Sequence, residues 1–305
     1  MRILMAGSSG FLGTALAARL RAHGHDVTRL VRRTAQQPDE VSWRPAEGRL
    51  DPAVVAAADA VINLAGAGVG DQRWTPRYKS LIRSSRVDST GTIARAVRQV
   101  SDQDRPRTLL QGSAIGWYGS TDDRRVTEDA PAGSTFLADV CRVWEAAARP
   151  AEDAGARVVL LRTGLPLDAD GGLLKPQMLP FRLGIGGKFG RGRQWMSWIA
   201  LADWLDAVEF LLDRDDVAGP VNVVGPDPVT NAAFADTFAR LLHRPAIMPI
   251  PPVALRVALG EFAAEATRSQ RVMPGALTKA GFTWAHPTIE SALRSALAPV
   301  SSPAR

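Results

Sequence analysis

The sequence predicts an α/β protein: a doubly wound parallel sheet with helices on both faces, followed by a smaller, mainly helical C-terminal cap. Three observations carry this expectation. Short apolar runs alternate with long helical patterns through the first half, in the order β-α-β-α. Most of those runs are almost continuously apolar, as strands covered on both faces must be. The first run passes straight into GSSGFLG and then into a helical pattern, a tight glycine turn between strand and helix.

Taken in order, RILMAG reads as the first strand and FLGTALAARLRAHG as the first crossover helix. DVTRLVR and DAVINLAG are the next strands, and TPRYKSLIRSSRVDSTGTIARAVRQV is a long helix. RTLLQGSA, the helical STFLADVCRVWEAAARPAEDAG and the strand RVVLLRTG complete the regular alternation, with Leu, Val and Ala at helical spacing in each crossover. Beyond about residue 165, Gly and Pro crowd LPLDADGGLLKPQMLPFRLGIGGKFGRGRQ, which reads as loops. WMSWIALADWLDAVEFLLD is a strand running into an amphipathic helix, and GPVNVVG is another strand. NAAFADTFARLLHRP, PPVALRVALGEFAAEATRSQ and TIESALRSAL are mainly helical, and PVSSPAR reads as a frayed tail. The expected division is a Rossmann-type core over 1–220, with loops 165–200 facing the substrate side, and a cap over 221–305.

Of the 305 residues, 46% are apolar and 22% charged, enough for a large core. The single cysteine, Cys141, excludes an internal disulfide framework, and four scattered histidines offer no metal-ligand spacing. A reducing cytosol and a metal-free mechanism are the expectation. The opening MRILMAGSSG is too short an apolar run for a signal peptide, and no run approaches the length of a membrane span. The net charge of +6 is distributed among interleaved acids, with no block of like charge. The expected partner is therefore a small molecule, not nucleic acid or a membrane.

Gly7, Gly10 and Gly13 stand three apart between a strand and a helix. That spacing permits a tight turn, close approach of the backbone to a pyrophosphate, and close packing of helix on strand. The phosphates would meet the helix amino terminus, where free N–H groups and the helix dipole favour anions. The second strand ends at Arg32-Arg33, where an NAD-preferring fold places an acid against the ribose 2′-hydroxyl. Arginine there suits a 2′-phosphate, so NADP(H) is the implied cofactor. The alternative is that both arginines simply solvate a strand end. Leu64, Ala65 and Gly66 close a later strand, either as small residues that pass beside the cofactor or as a plain strand-end turn.

At this point the motifs become specific. GSSGFLG, DAVINLAG, RWTPRYKSLIRSSRVDSTGT, SAIGWYG, FLADVCRVWEAAA, RVVLLRTGLPL, MLPFRLGIGGKFGRGRQWMSWI and GPVNVVGPDPVTNAAFA, in this order, resemble the atypical extended short-chain dehydrogenase/reductases of the "epimerase family protein" group, which are nucleoside-diphosphate-sugar epimerase-like. The likeness covers nearly the whole chain. It implies a Rossmann fold and an NADP(H) site formed by Gly7, Gly10, Phe11, Leu12, Gly13, Arg32, Leu64, Ala65 and Arg86. It supplies no substrate. The group commonly has histidine after S-W-I, whereas this chain has Ala200.

Extended reductases of this kind use a Tyr-x-x-x-Lys pair, in which tyrosine exchanges a proton with substrate and lysine lowers its pKa and holds the nicotinamide ribose. A glutamate often follows that tyrosine by eight residues. Counting back from Glu145 places Leu137 at the tyrosine position, beside the cofactor, and Cys141 at the lysine position. Neither can perform the usual task. The accessory Ser/Thr position falls on Ala114, with Ser113 one place off; a shifted turn would leave Ser113 able to bond a substrate.

Tyr118, at a strand carboxyl end, is the first candidate for proton transfer, against a packing role beside Trp117. Lys79 reads as a helix-surface lysine, and Cys141 as a small buried filler. The loop 186–194 with Trp195 and Trp198 either lines a substrate cleft or is a surface loop over core tryptophans. Two functions remain: an NADP(H)-dependent hydride-transfer enzyme with an unusual acid or water as proton source, or a noncatalytic NADPH-binding protein whose cap meets a partner.

Overall fold

The computed structural model describes residues 1–245 and 248–298; the tail PVSSPAR lies outside the described residues. The elements are β1 (Arg2–Ala6), α1 (Phe11–Ala22), β2 (Asp26–Val31), β3 (Glu40–Ser42), α2 (Pro52–Ala56), β4 (Ala60–Asn63), α3 (Pro76–Gln99), β5 (Thr108–Ala114), α4 (Phe136–Ala146), α5 (Arg149–Glu152) and β6 (Arg157–Thr163). They continue as β7 (Leu165–Asp168), β8 (Gly171–Gly172), α6 (Lys175–Arg182), β9 (Trp195–Met196), β10 (Trp198–Ala200), α7 (Leu201–Leu212), β11 (Gly219–Val223) and β12 (Val229–Thr230). The last are α8 (Asn231–Leu241), α9 (Pro252–Leu259), α10 (Phe262–Ala266), α11 (Gly275–Lys279) and α12 (Ile289–Leu297).

Seven strands form one parallel sheet in the order β11-β6-β5-β4-β1-β2-β3. Side chains alternate across it because the strand period is two. Ile3, Met5, Ile62, Leu110, Leu161 and Val221 pack one face against α1 and α7. Leu4, Val61, Leu109 and Val158 pack the other against α3 and α5. The strand order reverses between β1 and β4, the place where open parallel sheets take their ligands in a crevice beyond the strand ends.

Three local expectations change. The Gly- and Pro-rich stretch contains α6 as well as β7 and β8, because Met178 and Phe181 reach the cap core with Phe234 and Phe238. Tertiary packing outweighs local composition there. The helical stretch after Pro251 breaks at Gly260, whose φ of +62° ends α9 before α10 begins. Finally β11 pairs with β6 across the expected 220/221 boundary, so the sheet runs on to Val223.

Candidate functional site

The crevice is built by backbone approach. Gly7 adopts φ +82°, and a Cβ there would lie 2.5 Å from the Leu64 carbonyl carbon and 2.7 Å from Ala65 N. A Cβ on Gly13 would lie 2.0 Å from Gly7 O. Only glycine permits either contact. Gly10 is the N-cap of α1 and supplies no side-chain cap, so the first-turn N–H groups of Phe11, Leu12 and Gly13 are left to an outside acceptor. Phe11 turns to the far side and packs on the β7–β8 hairpin, where a Cβ on Gly171 would collide with its ring. Leu12 packs on the core beneath α1.

Leu64 N bonds Ala6 O at 2.9 Å, and Ala65 N bonds the Asn63 side chain at 3.1 Å. Asn63 is buried and also donates to Thr90 Oγ1 and Gln111 Oε1, which fixes the turn from beneath. Arg86, from α3, lies over Gly66, where a Cβ would come 3.1 Å from its Cγ. Its Nη1 donates to Ala67 O and Ile82 O, and its guanidinium carbon sits 4.9 Å from the Trp144 ring centroid. Among the described residues no carboxylate pairs with it, and burial lowers its pKa. Gly7, the 64–66 turn and Arg86 thus form one continuous wall that ends in an uncompensated cation.

At the end of β2 the two arginines part. Arg33 is bidentate to Glu40, at 2.7 and 2.6 Å, and its hydrogen bond holds the Glu40 carboxyl at about 2. Arg33 lines the same groove as Arg32, but its fork is already held by a carboxylate from β3, a strand absent from the sequence reading. Arg32 is exposed and has no ion-pair or hydrogen-bond partner among the described residues. It lines a groove of about 660 Å³ with Arg33, Ser42, Trp43, Arg44 and Arg49.

The positions expected for the acid and the lysine face the end of β5. A Cβ on Gly116 would meet Leu137 Cβ at 3.3 Å and Cys141 Sγ at 3.7 Å, and Cys141 Sγ lies 3.6 Å from Ala114 O. Burial, with Glu145 adding to it, pushes the Cys141 thiol up to about 12. This wall is apolar and holds its only ionisable hydrogen tightly.

Both catalytic candidates are corrected. Tyr118 was expected on the rim, but the turn Ile115–Tyr118 rolls it inward to 4% exposure. Its hydroxyl donates to Asn222 Oδ1 at 2.7 Å and accepts from Arg162 Nη1 at 3.0 Å, and burial raises its pKa. Ser113 donates to Glu145 Oε1 at 2.6 Å instead of facing the crevice. Arg162 completes the cluster, bidentate to Glu145 at 2.9 and 3.0 Å and stacked 3.9 Å from the Trp117 ring centroid. This ion pair is shut inside the protein. Arg162 escaped the sequence reading because RVVLLRTG reads as a plain buried strand, and Glu145 entered it only as a register mark; an arginine in a fully covered strand was the available signal. Lys79 pairs with Glu261 of the cap at 2.7 Å.

Trp198 is core, whereas Arg193 and Gln194 line an open groove of about 470 Å³ with Asp122, Asp123 and Arg268. Ala200 is buried as the N-cap of α7.

A seven-stranded parallel sheet, a glycine turn at the strand-order reversal and a helical cap define a Rossmann-type protein of the extended short-chain dehydrogenase/reductase class. Comparison with known proteins sharpens this. Residues 3–164 match the model of the NAD dependent epimerase/dehydratase family, and residues 250–296 match a domain of unknown function, DUF1731. The chain is 44% identical over 292 residues to Epimerase family protein Mb2239 of Mycobacterium bovis, covering 95% of this chain and 96% of the relative. It is 34% identical to Epimerase family protein YfhF of Bacillus subtilis, covering 98% of each. The crystal structure of human epimerase family protein SDR39U1 with NADPH superposes with a TM-score of 0.87 at 32% identity, covering 97% of this chain and 99% of that one. The chain belongs to the NAD dependent epimerase/dehydratase family, among its epimerase family proteins.

Proposed function

We propose that the chain binds NADP(H) across the crevice and uses it for hydride transfer on a small molecule, without a Tyr-x-x-x-Lys pair. The observation that carries this reading is the wall from the bare amino terminus of α1 to the uncompensated Arg86. A half-buried cation without a carboxylate is costly unless an anion answers it. The glycine turn would hold a pyrophosphate, Arg86 would neutralise its charge, and Arg32 would grip a 2′-phosphate. That the human relative was crystallised with NADPH supports the phosphorylated form. When bound, the nicotinamide supplies or accepts a hydride at its C4. Leu137, Cys141 and Ala114 would keep water and protons from one side of the site, so the proton comes from solvent on the open side or from the substrate itself. A cytoplasmic location with Cys141 reduced belongs to the same reading.

Titration with both cofactors tests it. NADPH should bind at least roughly tenfold more tightly than NADH, in line with a charge-assisted contact. Arg32→Ala should bring the two close to parity while leaving NADH affinity unchanged; equal affinities in the native chain would refute the assignment.

A second reading, a noncatalytic NADPH-binding protein, is favoured by one specific observation: Tyr118 and Ser113 have their hydroxyl hydrogens engaged internally, and the Cys141 thiol is buried. Assaying NADPH oxidation against carbonyl and enone compounds separates the two. Turnover supports the enzyme, and tight binding with no turnover across such a panel supports the binding protein.

A further inference from the structure

The cap carries a face that its own fold leaves open. α9 buries one residue of eight, Leu255, and presents Val253 and Val257 at 72% and 67% exposure. Leu179, Leu183 and Ile185 at the end of α6, and Met248 before α9, are each more than 60% exposed. These two segments adjoin. Gly190 N bonds Ile250 O and Ile250 N bonds Lys188 O, at 2.9 and 2.8 Å, and Arg244 Nε donates to Arg182 O at 2.8 Å. Isolated exposed aliphatics are ordinary, but six on adjoining segments mark an interaction surface.

The two segments themselves carry charge of one sign, between flanking acids at Asp170, Asp203, Asp236 and Glu261. Residues 171–202 contain five Lys or Arg, residues 237–260 contain three, and neither segment contains a single Asp or Glu. Those eight cations exceed the whole net charge of +6. Arg182, Arg191, Arg244 and Arg256 are all exposed. Among the described residues, Arg240 alone of the eight is answered by a carboxylate, Glu290.

We propose that this face docks on an anionic lipid surface, with the aliphatic side chains of α9 and the α6 end entering the headgroup layer and the arginines pairing with lipid phosphates. Charge decides the occupant. A second copy meeting the patch about a two-fold axis would set cations against cations. Nucleic acid would take up the cations but would leave the aliphatic side chains in water, and none of the exposed large apolar residues here is an aromatic that could stack on bases. An anionic bilayer satisfies both halves, since apolar insertion and basic attraction act together at such a surface. The proposal departs from the sequence expectation of no membrane partner. It concerns a peripheral contact only; among the described residues no helix is long and apolar enough to cross a membrane. The cofactor crevice is not involved, so the docking stands or falls apart from NADPH binding.

Flotation of the full chain with phosphatidylcholine vesicles, with and without phosphatidylglycerol, tests it. The bound fraction should rise with phosphatidylglycerol and fall at high salt. The exposed pair Val253→Asp and Val257→Asp should lower partitioning roughly tenfold or more, with the thermal melt and NADPH affinity unchanged. Arg244→Gln with Arg256→Gln should cut the phosphatidylglycerol-dependent part by a similar factor. The proposal is overturned if the native chain ignores phosphatidylglycerol vesicles or if the aspartate pair floats as well as the native protein. It is equally overturned if sedimentation shows a dimer that the aspartate pair dissociates.

Discussion

Tyr118 shows how one side chain can look catalytic in sequence and be structural in the fold. Its hydroxyl joins Arg162 to Asn222, and removing it leaves the Asn222 oxygen without that donor and takes one acceptor from a buried guanidinium. Tyr118→Phe should therefore cost about 1–3 kcal/mol of stability, read as a lower denaturant midpoint at constant slope, with NADPH affinity unchanged. Loss of cofactor affinity with stability intact would return Tyr118 to the site. Glu40 gives the second residue-scale expectation. Its folded pKa is depressed to about 2 by the Arg33 hydrogen bond, below the ordinary 4.5. A depressed carboxyl contributes stability that is complete above 4.5 and is lost as pH falls toward about 2. Glu290, held at about 2 by Arg240, and Asp216, held at about 2 by Arg214, lose theirs in the same acid window. Melting temperature measured as pH is lowered from neutral should fall through that window, and Glu40→Gln should make the fall shallower.

At the scale of the element, the strand–turn–helix at the amino end separates two glycines that look equivalent in GSSGFLG. Gly13→Ala would drive its methyl into Gly7 O, so it should destabilise the fold by roughly 1–3 kcal/mol and abolish cofactor binding. A Cβ on Gly10 would meet Gly7 O at 3.5 Å, an ordinary contact, and Gly10 has an extended backbone that alanine adopts without strain. Gly10→Ala should leave the melt intact and weaken only NADPH binding, because its methyl stands where a pyrophosphate approaches. The same contrast shows what was legible. Glycine spacing, strand runs and the long α3 announce themselves because each obeys a local period or a backbone requirement. The short β3, α2 and α6 do not: β3 exists through its pairing with β2, and α6 through Phe181 reaching Phe238 across the cap. The pairing of Arg33 with Glu40 follows directly from the unseen β3.

For the whole molecule, the question is whether core and cap are separate folding units, as a boundary drawn in sequence implies. The contacts across it are continuous. Thr121 N bonds Ser269 O, Val126 N bonds Arg271 O and Met273 N bonds Val126 O, so the segment after β5 lies along the segment before α11. Glu128 accepts from Asn222 N at 2.8 Å and from Ala276 N at 3.1 Å, and Asn222 in turn donates to Met273 O. Ser197 bonds Gln270 O and Val272 N from the third side. The Arg162–Glu145 pair sits at the junction, with Tyr118 linking it to Asn222. Opening the cap alone would expose this buried ion pair and many paired backbone groups, which is costly in the way broken buried pairs are. The chain should thus unfold in one step, with tryptophan fluorescence and far-ultraviolet circular dichroism tracing the same urea transition. Glu128→Ala, which frees two backbone N–H groups at the joint, should pull the two traces apart or lower the unfolding free energy by about 2–4 kcal/mol, read as an earlier common midpoint at constant slope. Two separate transitions in the native protein would show instead that the cap is an independent body and that the joint contributes little.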